Sequence, residues 1–195
     1  MNRTNKVNLI AGGRGTGKTD YTKQVIQASI MPKKLIVDTF DNPPWRNFKT
    51  WNHPEWERLK IPLIPDIKYL KNWKQGTYRI VVKDFEEFNQ FIEEHVFNAL
   101  ILYEDATRFI GSTLDPNLKS FIYDTKQKNI DMLFVFHSLA SIPPELVRSS
   151  DTLTLFKTNE GHPDKKKYPW PDIPIVMDGL RESTNRFLNF TIHLS

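Results

Sequence analysis

The sequence predicts an α/β fold with a mainly parallel central sheet flanked by helices. Short apolar runs alternate along the chain with segments whose apolar residues have helical spacing. Several of these runs are apolar throughout, which is typical of parallel strands covered on both faces. A glycine-rich loop follows the first apolar run, and glycine is the residue that allows backbone to turn tightly or approach a ligand closely.

The first half of the chain predicts three strands and two helices: strands 7–11, 34–40 and 77–82 and helices 18–30 and 84–98. The first helix ends before Pro32, which cannot continue it. The second helix begins after Asp84, a good N-cap, and places Phe85, Phe88, Ile92 and other apolar residues on one face.

The second half predicts strands 99–105, 130–138, 152–157 and 187–193, and helices 115–129, 144–149 and 178–186. Asp115 followed by Pro116 is typical of a helix start, because proline fits the first helical position. The strands at 99–105 and 130–138 are apolar until their last residues, which are polar. We expect these polar ends to lie together at the carboxyl edge of the sheet.

We expect one domain over residues 1–195, with a tryptophan- and proline-rich insertion at about 41–76 and a C-terminal extension at about 159–195. The insertion contains Trp45, Trp51, Trp56 and Trp73. These aromatics could line a pore or bind a partner, since aromatics near basic residues stack on bases. The favoured interpretation is that the segment packs onto the sheet through its own aromatic rings.

Composition excludes several classes of protein. There is no cysteine, so disulfides and thiolate metal sites are excluded. No apolar run is long enough to span a bilayer, and the first residues do not have the pattern of a secretory signal. We therefore expect a cytoplasmic protein. A viral protein that is made in the host cytoplasm and associates with the virion would also fit. The net charge of +4 is compatible with a nucleic-acid partner but does not require one.

The glycine-rich loop matches the phosphate-binding pattern G-x-x-x-x-G-K-[ST], from Gly12 to Thr19. Such a loop turns its amide groups inward to make an anion site at the start of a helix. Lys18 would neutralise the β- and γ-phosphates of ATP, and the Thr19 hydroxyl would bind Mg²⁺. The residues predicted to bind ATP are Gly12, Gly13, Arg14, Gly15, Thr16, Gly17, Lys18 and Thr19.

Two acids, Glu104 and Asp105, follow the strand at 99–103 and are the predicted partners of this loop. We expect Glu104 to bind Mg²⁺ with Thr19, and Asp105 to polarise the attacking water. The usual order in this class is aspartate then glutamate, so the two types are exchanged here. His137 ends the strand before Ser138, and we expect it to donate a hydrogen bond to the γ-phosphate or the water.

An arginine should complete such a site, because phosphoryl transfer concentrates negative charge. Arg108 and Arg148 are the candidates for an arginine that acts on a neighbouring subunit, and Arg14, inside the loop, could instead contact phosphate. A basic run at Lys165, Lys166 and Lys167 could contact DNA phosphates or be a solvated loop. His53, His95 and His162 lack metal-ligand spacing.

Together the strings AGGRGTGKT, LILYEDATRFI and KQKNIDMLFVFHSLASIPPELVRSSDTLTLFK resemble the FtsK–HerA superfamily of P-loop ATPases over about residues 6–158. His137 stands where that family usually has glutamine. The resemblance implies a three-layer P-loop NTPase of the RecA/ASCE type, whose loop strand lies between the sensing strand and an outer strand. It also implies ATP hydrolysis, a homo-oligomeric ring and transport of double-stranded DNA.

The chain is also similar to genome-packaging ATPases of membrane-containing viruses and to zonula occludens toxin-like assembly ATPases of filamentous phages. This implies capsid or virion membrane proteins as partners. Two alternatives share the loop and the acids: a kinase of a small molecule or nucleotide, and an ATP-dependent assembly switch that does not hydrolyse. A GTPase is disfavoured, because the sequence has no N-K-x-D guanine-reading motif.

Overall fold

A computed structural model describes residues 5–40, 45 and 61–194. The strands are β1 (Val7–Ala11), β2 (Lys33–Asp38), β3 (Gly76–Val81), β4 (Ala99–Tyr103), β5 (Ile130–Phe136), β6 (Thr152–Phe156) and β7 (Asn189–His193). The α-helices of the described residues are α1 (Lys18–Ala28), α2 (Phe85–His95), α3 (Pro116–Lys128), α4 (Pro144–Arg148) and α5 (Asp172–Glu182). Short 3₁₀ turns are found at Ile67–Asn72, Ala106–Arg108 and Leu139–Ser141.

The strands form one sheet in the order β3-β2-β4-β5-β1-β6-β7. All neighbouring pairs are parallel except β6 and β7, which pair antiparallel. Strand β1, which leads into the glycine loop, lies between β5 and β6. This confirms the predicted α/β class and the position expected for the loop strand.

Alternate residues of each strand face two separate apolar layers. On one face Ile36, Leu102 and Val135 pack with Ile26 of α1 and with Trp45. On the other face Val37, Tyr103 and Phe134 pack with helices α2 to α5. Because both faces of the strands are covered, their apolar runs are continuous, and the fold has the three predicted layers.

Helices α2 and α3 begin at the capping residues that the sequence predicted. The Asp84 side chain accepts a hydrogen bond of 3.0 Å from the Glu87 amide at the start of α2. Asp115 accepts two 3.0 Å hydrogen bonds from Asn117 and Leu118 at the start of α3. These caps satisfy amide groups that have no partner within the helix.

One predicted helix is misplaced. The sequence suggested 178–186, whereas α5 spans Asp172–Glu182. The prolines before this segment led to a late start, but Pro174 lies in the first turn, where a missing amide costs no intrahelical bond. No helix among the described residues is long and apolar enough to cross a membrane.

The insertion is described only in part. Trp45 and Trp73 are buried, 1% and 7% exposed respectively. The Trp73 ring makes an edge contact with Tyr78, with 5.9 Å between ring centroids. For these two rings the packing interpretation is confirmed. Trp51, Trp56 and His53 lie outside the described residues.

Candidate nucleotide-binding site

A pocket of about 430 Å³ opens at the carboxyl edge of the sheet, where β1, β2, β4 and β5 end. The glycine loop and the start of α1 form one wall, and the residues that follow β2, β4 and β5 form the others. The lining residues are Arg14, Gly15, Gly17, Lys18, Thr19, Asp20, Thr39, Phe40, Trp45, Glu104, Asp105, Arg108, His137 and Phe187. Ligands of open parallel sheets bind at this edge.

The glycine loop needs its glycines for conformation and for space. Gly15 and Gly17 have φ angles of 69° and 94°, in a region that side chains disfavour. Gly12 lies against β6, and a Cβ added there would be 2.5 Å from the Phe156 Cβ. The Gly13 amide donates a 2.9 Å hydrogen bond to the Lys157 carbonyl, which attaches the loop to the residue after β6.

Lys18 lies under the loop and is 6% exposed. Its Nζ donates hydrogen bonds of 2.7 Å to the carbonyls of Gly12 and Gly13. Burial lowers the pKa of Lys18, while the nearby carboxylates of Glu104 and Asp105 act in the opposite direction. The ammonium thus occupies the centre of the loop, and no carboxylate of the described residues contacts it directly. A phosphate oxygen could replace either carbonyl as its partner.

Glu104 and Thr19 meet across the pocket. The Thr19 hydroxyl lies 3.4 Å from Glu104 Oε1, although the residues are 85 positions apart in sequence. Withdrawal from water, and secondly the neighbouring Asp38 carboxylate, together raise the pKa of Glu104 to about 7. Glu104 Oε2 is buried and has no hydrogen-bond partner among the described residues.

These atoms suit Mg²⁺, which prefers hydroxyl, carboxylate and phosphate oxygens and usually retains several waters. The Thr19 hydroxyl and the unpartnered oxygen of Glu104 would be the protein ligands. The described residues contain no group of three or more histidines or acids arranged to hold a metal by themselves. A nucleotide phosphate would therefore have to supply part of the coordination.

Asp105 lies beside His137 and Arg108. The Arg108 Nε is 2.9 Å from Asp105 Oδ2, and His137 Nε2 is 3.3 Å from Asp105 Oδ1. Burial lowers the pKa of His137, while the Asp105 carboxylate acts in the opposite direction. The net effect is a lowered pKa, so the imidazole is mostly uncharged at pH 7. Asp105 itself has a left-handed backbone, with φ of 54°.

The structure adds residues from the end of β2 that sequence reasoning missed. Asp38 is fully buried, and its carboxylate accepts a 3.3 Å hydrogen bond from the Phe40 amide. The Arg108 guanidinium stacks on the Phe40 ring at 4.2 Å from its centroid. The available signal was an acid at the end of an apolar strand, the same signal that identified Glu104.

Glu160, also missed, holds the turn that follows His137. Its carboxylate accepts hydrogen bonds from the amides of Leu139 and Ala140, at 2.9 and 3.0 Å, and from the hydroxyls of Ser138 and Thr158. Burial acts to raise the pKa of Glu160, but these four hydrogen bonds together outweigh it and lower the pKa. No short motif marks this residue, because its contacts cross from the C-terminal extension to the end of β5.

Arg148 and the basic run do not line the pocket. Arg148 ends α4 and is exposed near the amino end of β6, whereas the pocket lies at the carboxyl ends of the strands. Lys165, Lys166 and Lys167 are exposed in a turn. His162 lies 2.8 Å from Asp178, and His95 lies 3.7 Å from Glu94. The roles predicted for Arg148 and for the lysines stay predictions.

Comparison with solved structures places the fold. The genome-packaging NTPase B204 of Sulfolobus turreted icosahedral virus 2, in complex with sulfate, superposes with a TM-score of 0.72 and 11% identity, covering 99% of this chain and 93% of that one. Its complex with ATP-gammaS gives 0.67 and 10%, covering 93% and 88%.

The N-terminal domain of zonular occludens toxin from Neisseria meningitidis gives a TM-score of 0.51 and 11% identity, covering 98% of this chain and 94% of that one. No protein-family model and no curated protein matches the sequence. The structural neighbours agree with the resemblance drawn from the motifs. At these identities they show a shared P-loop NTPase fold.

Proposed function

We propose that this chain is an ATP-hydrolysing DNA translocase that packages a viral genome into a capsid as a ring oligomer. The observation that carries the proposal is the 3.4 Å approach of the Thr19 hydroxyl to Glu104 beneath a glycine loop that holds Lys18 at its centre. That arrangement suits a nucleoside triphosphate with Mg²⁺. The likeness to a genome-packaging NTPase suggests the substrate of the motor.

The loop would bind ATP through the amides of residues 14–19 and the positive end of α1. Lys18 would exchange its bonds to the Gly12 and Gly13 carbonyls for bonds to the β- and γ-phosphates. Mg²⁺ held by Thr19 and Glu104 would neutralise charge on the same phosphates. The chain's contribution is therefore mostly positioning and charge, as phosphoryl transfer requires.

In this proposal Asp105 acts on the attacking water. It would accept a hydrogen bond from the attacking water and take its proton as the oxygen bonds to the γ-phosphorus and the bond to the bridging oxygen breaks. The mostly uncharged His137 ring, which lies beside Asp105, would donate a hydrogen bond to the γ-phosphate or to that water. Arg108 forms an ion pair with Asp105 in this structure. Arg108 would have to move away before Asp105 could accept a proton from the water.

A ring would complete each site with an arginine from a neighbour. Arg148 is exposed and lies outside the pocket of its own chain, so it would act only in trans. Partners in this proposal are double-stranded DNA and capsid or virion membrane proteins. The exposed lysines 165–167 offer charge for DNA phosphates.

The test measures ATP hydrolysis with and without duplex DNA, together with the mass of the assembled species. We expect weak hydrolysis by the free chain and faster hydrolysis with duplex DNA or on assembly. Absence of DNA binding at low salt in every nucleotide state would refute the translocase. Transfer of phosphate to a nucleoside or sugar without net hydrolysis would indicate a kinase instead.

A further inference from the structure

The turn between α5 and β7, residues 183–188, lies directly on the glycine loop. A Cβ added to Gly15 would be 2.4 Å from Arg186 Nη2, and one added to Gly17 would be 3.1 Å from Phe187 Cδ1. Arg186 Nη2 also donates a 3.4 Å hydrogen bond to the Arg14 carbonyl. The turn can come this close to the loop because Gly15 and Gly17 have no side chains.

The turn is held in place by its own hydrogen bonds. Lys157 Nζ donates a 2.9 Å hydrogen bond to the Ser183 carbonyl, and the Asn185 side chain accepts one of 3.0 Å from the Phe187 amide. The Lys157 carbonyl accepts from the Gly13 amide, so one residue contacts both the turn and the loop. On the other side, Asn189 pairs with Phe156 in the antiparallel β6–β7 ladder. The turn therefore has a fixed position relative to the phosphate site.

The charges of the turn and the loop favour an anion between them. Among the described residues, no carboxylate lies within ion-pair distance of Arg186 or of Arg14. The single long bond of Arg186 to a carbonyl leaves its other N–H groups available. A guanidinium presents a planar fork of donors that matches phosphate oxygens. Two unpaired arginines beside an amide cradle are suited to a polyphosphate.

Phe187 provides an apolar surface next to this cation. It lines the pocket and is 61% exposed. Phe40, the other exposed phenylalanine that lines the pocket, already has the Arg108 guanidinium stacked on it. A nucleobase attached to phosphates in the loop would find the Phe187 ring uncovered, and base–aromatic stacking is favourable.

We propose that the α5–β7 turn is part of the nucleotide site of the same subunit, with Arg186 binding the phosphate chain and Phe187 packing against the base. The inference rests on the proposed binding of ATP by the loop. It gives the C-terminal extension a function in nucleotide binding that the loop motif does not imply. It also predicts that the chain recognises a nucleotide by two separable contacts, one to phosphate and one to the base.

The test compares binding of ATP and of inorganic tripolyphosphate by calorimetry. Arg186→Ala should weaken both ligands at least about tenfold, because a charge-assisted bond to phosphate is lost. Phe187→Ala should weaken ATP about five- to tenfold and leave tripolyphosphate unchanged, whereas Phe187→Trp should bind ATP as the wild type does. Lys126→Ala, which removes an exposed positive charge from α3, and Phe190→Ala, which truncates an exposed ring of β7, are the matched controls.

The two proposals fail in different ways. If Lys18→Ala abolishes ATP binding while Arg186→Ala and Phe187→Ala bind both ligands like the wild type, the role of the turn is wrong and the proposed function stands. If Phe187→Ala weakens both ligands equally, the contact to the base is wrong. If the wild-type chain binds neither ligand, both proposals are wrong.

Discussion

The Thr19 hydroxyl lies 3.4 Å from Glu104 Oε1, and this contact joins the glycine loop to the strand that carries the two acids. The loop motif and the acid pair were identified separately in the sequence. Their approach depends on β1 and β4 being separated by β5 alone, so that all three strands end at the same edge. Glu104 has a raised pKa because the contact with Thr19 and the charge of Lys18 do not compensate for its burial.

The raised pKa of Glu104 predicts that the metal-free protein is stabilised by Glu104→Gln at alkaline pH. The pKa is about 7 in the folded chain against an ordinary value of 4.5, so the folded state favours the neutral carboxyl. The contribution of Glu104 to wild-type stability should therefore fall as pH rises from about 4.5 to about 7 and then level off. The variant should gain up to about 3 kcal/mol at pH 8, since each unit of pKa corresponds to about 1.4 kcal/mol.

Denaturant unfolding in EDTA at pH 8 and pH 4.5 measures this difference. The gain should be largest at pH 8 and should nearly vanish at pH 4.5. A variant that is equally stable or less stable than the wild type at both pH values would show that Glu104 is not a strained carboxylate.

Gly12→Ala should destabilise the fold. The new Cβ would lie 2.5 Å from the Phe156 Cβ, so the loop or β6 would have to move. Overpacking of this kind costs about 1–3 kcal/mol. Gly111→Ala is the control, because no atom lies within 4 Å of its added Cβ, and it should change stability by less than about 0.5 kcal/mol. Equal unfolding midpoints for the two variants would contradict the packing of the loop on β6.

Substitution of Asp105 should lower turnover without abolishing ATP binding. Asp105→Ala should lower kcat at least about a hundredfold while the affinity for ATP remains, because the residue acts on water rather than on the phosphate chain. A variant with undiminished kcat would exclude Asp105 as the base. An assembly switch would instead keep its biological activity in this variant.

His137→Gln should retain kcat within about threefold, because glutamine also donates a hydrogen bond at the end of β5. His137→Ala should lower kcat about a hundredfold, the usual effect of removing a hydrogen-bond donor to the developing charge. Steady-state kinetics with saturating ATP measure both. Loss of activity in Gln and Ala alike would mean that the imidazole ring itself is required.

Glu160 should contribute stability that depends on pH. Its pKa is lowered in the folded chain, so its contribution is present above the ordinary value of 4.5 and is lost as pH falls through the folded value. Glu160→Gln should therefore be less stable than the wild type at pH 7, and the difference should shrink in acid. Urea unfolding with Glu182→Gln, an exposed acid of α5, as the control measures this. A difference that persists unchanged below the transition would contradict the pKa argument.

The sequence predicted the strands to within two residues at each end, because apolar runs covered on both faces leave a clear pattern. Helix α5 begins six residues before its predicted start, because Pro174 lies in its first turn, where proline is tolerated. The loop and the acids could be predicted because each is a local motif. Glu160, Arg186 and Phe187 could not, because their places in the site depend on how the C-terminal extension folds back onto β5 and the loop.

The most direct test of the central claim is phosphate release from Mg·ATP by the wild-type chain and by Lys18→Ala, each prepared identically and shown to be folded by its thermal melt. We expect release by the wild type, stimulated by duplex DNA, and only background release by the variant. Equal release by both chains, or none by the wild type with DNA present, would contradict it.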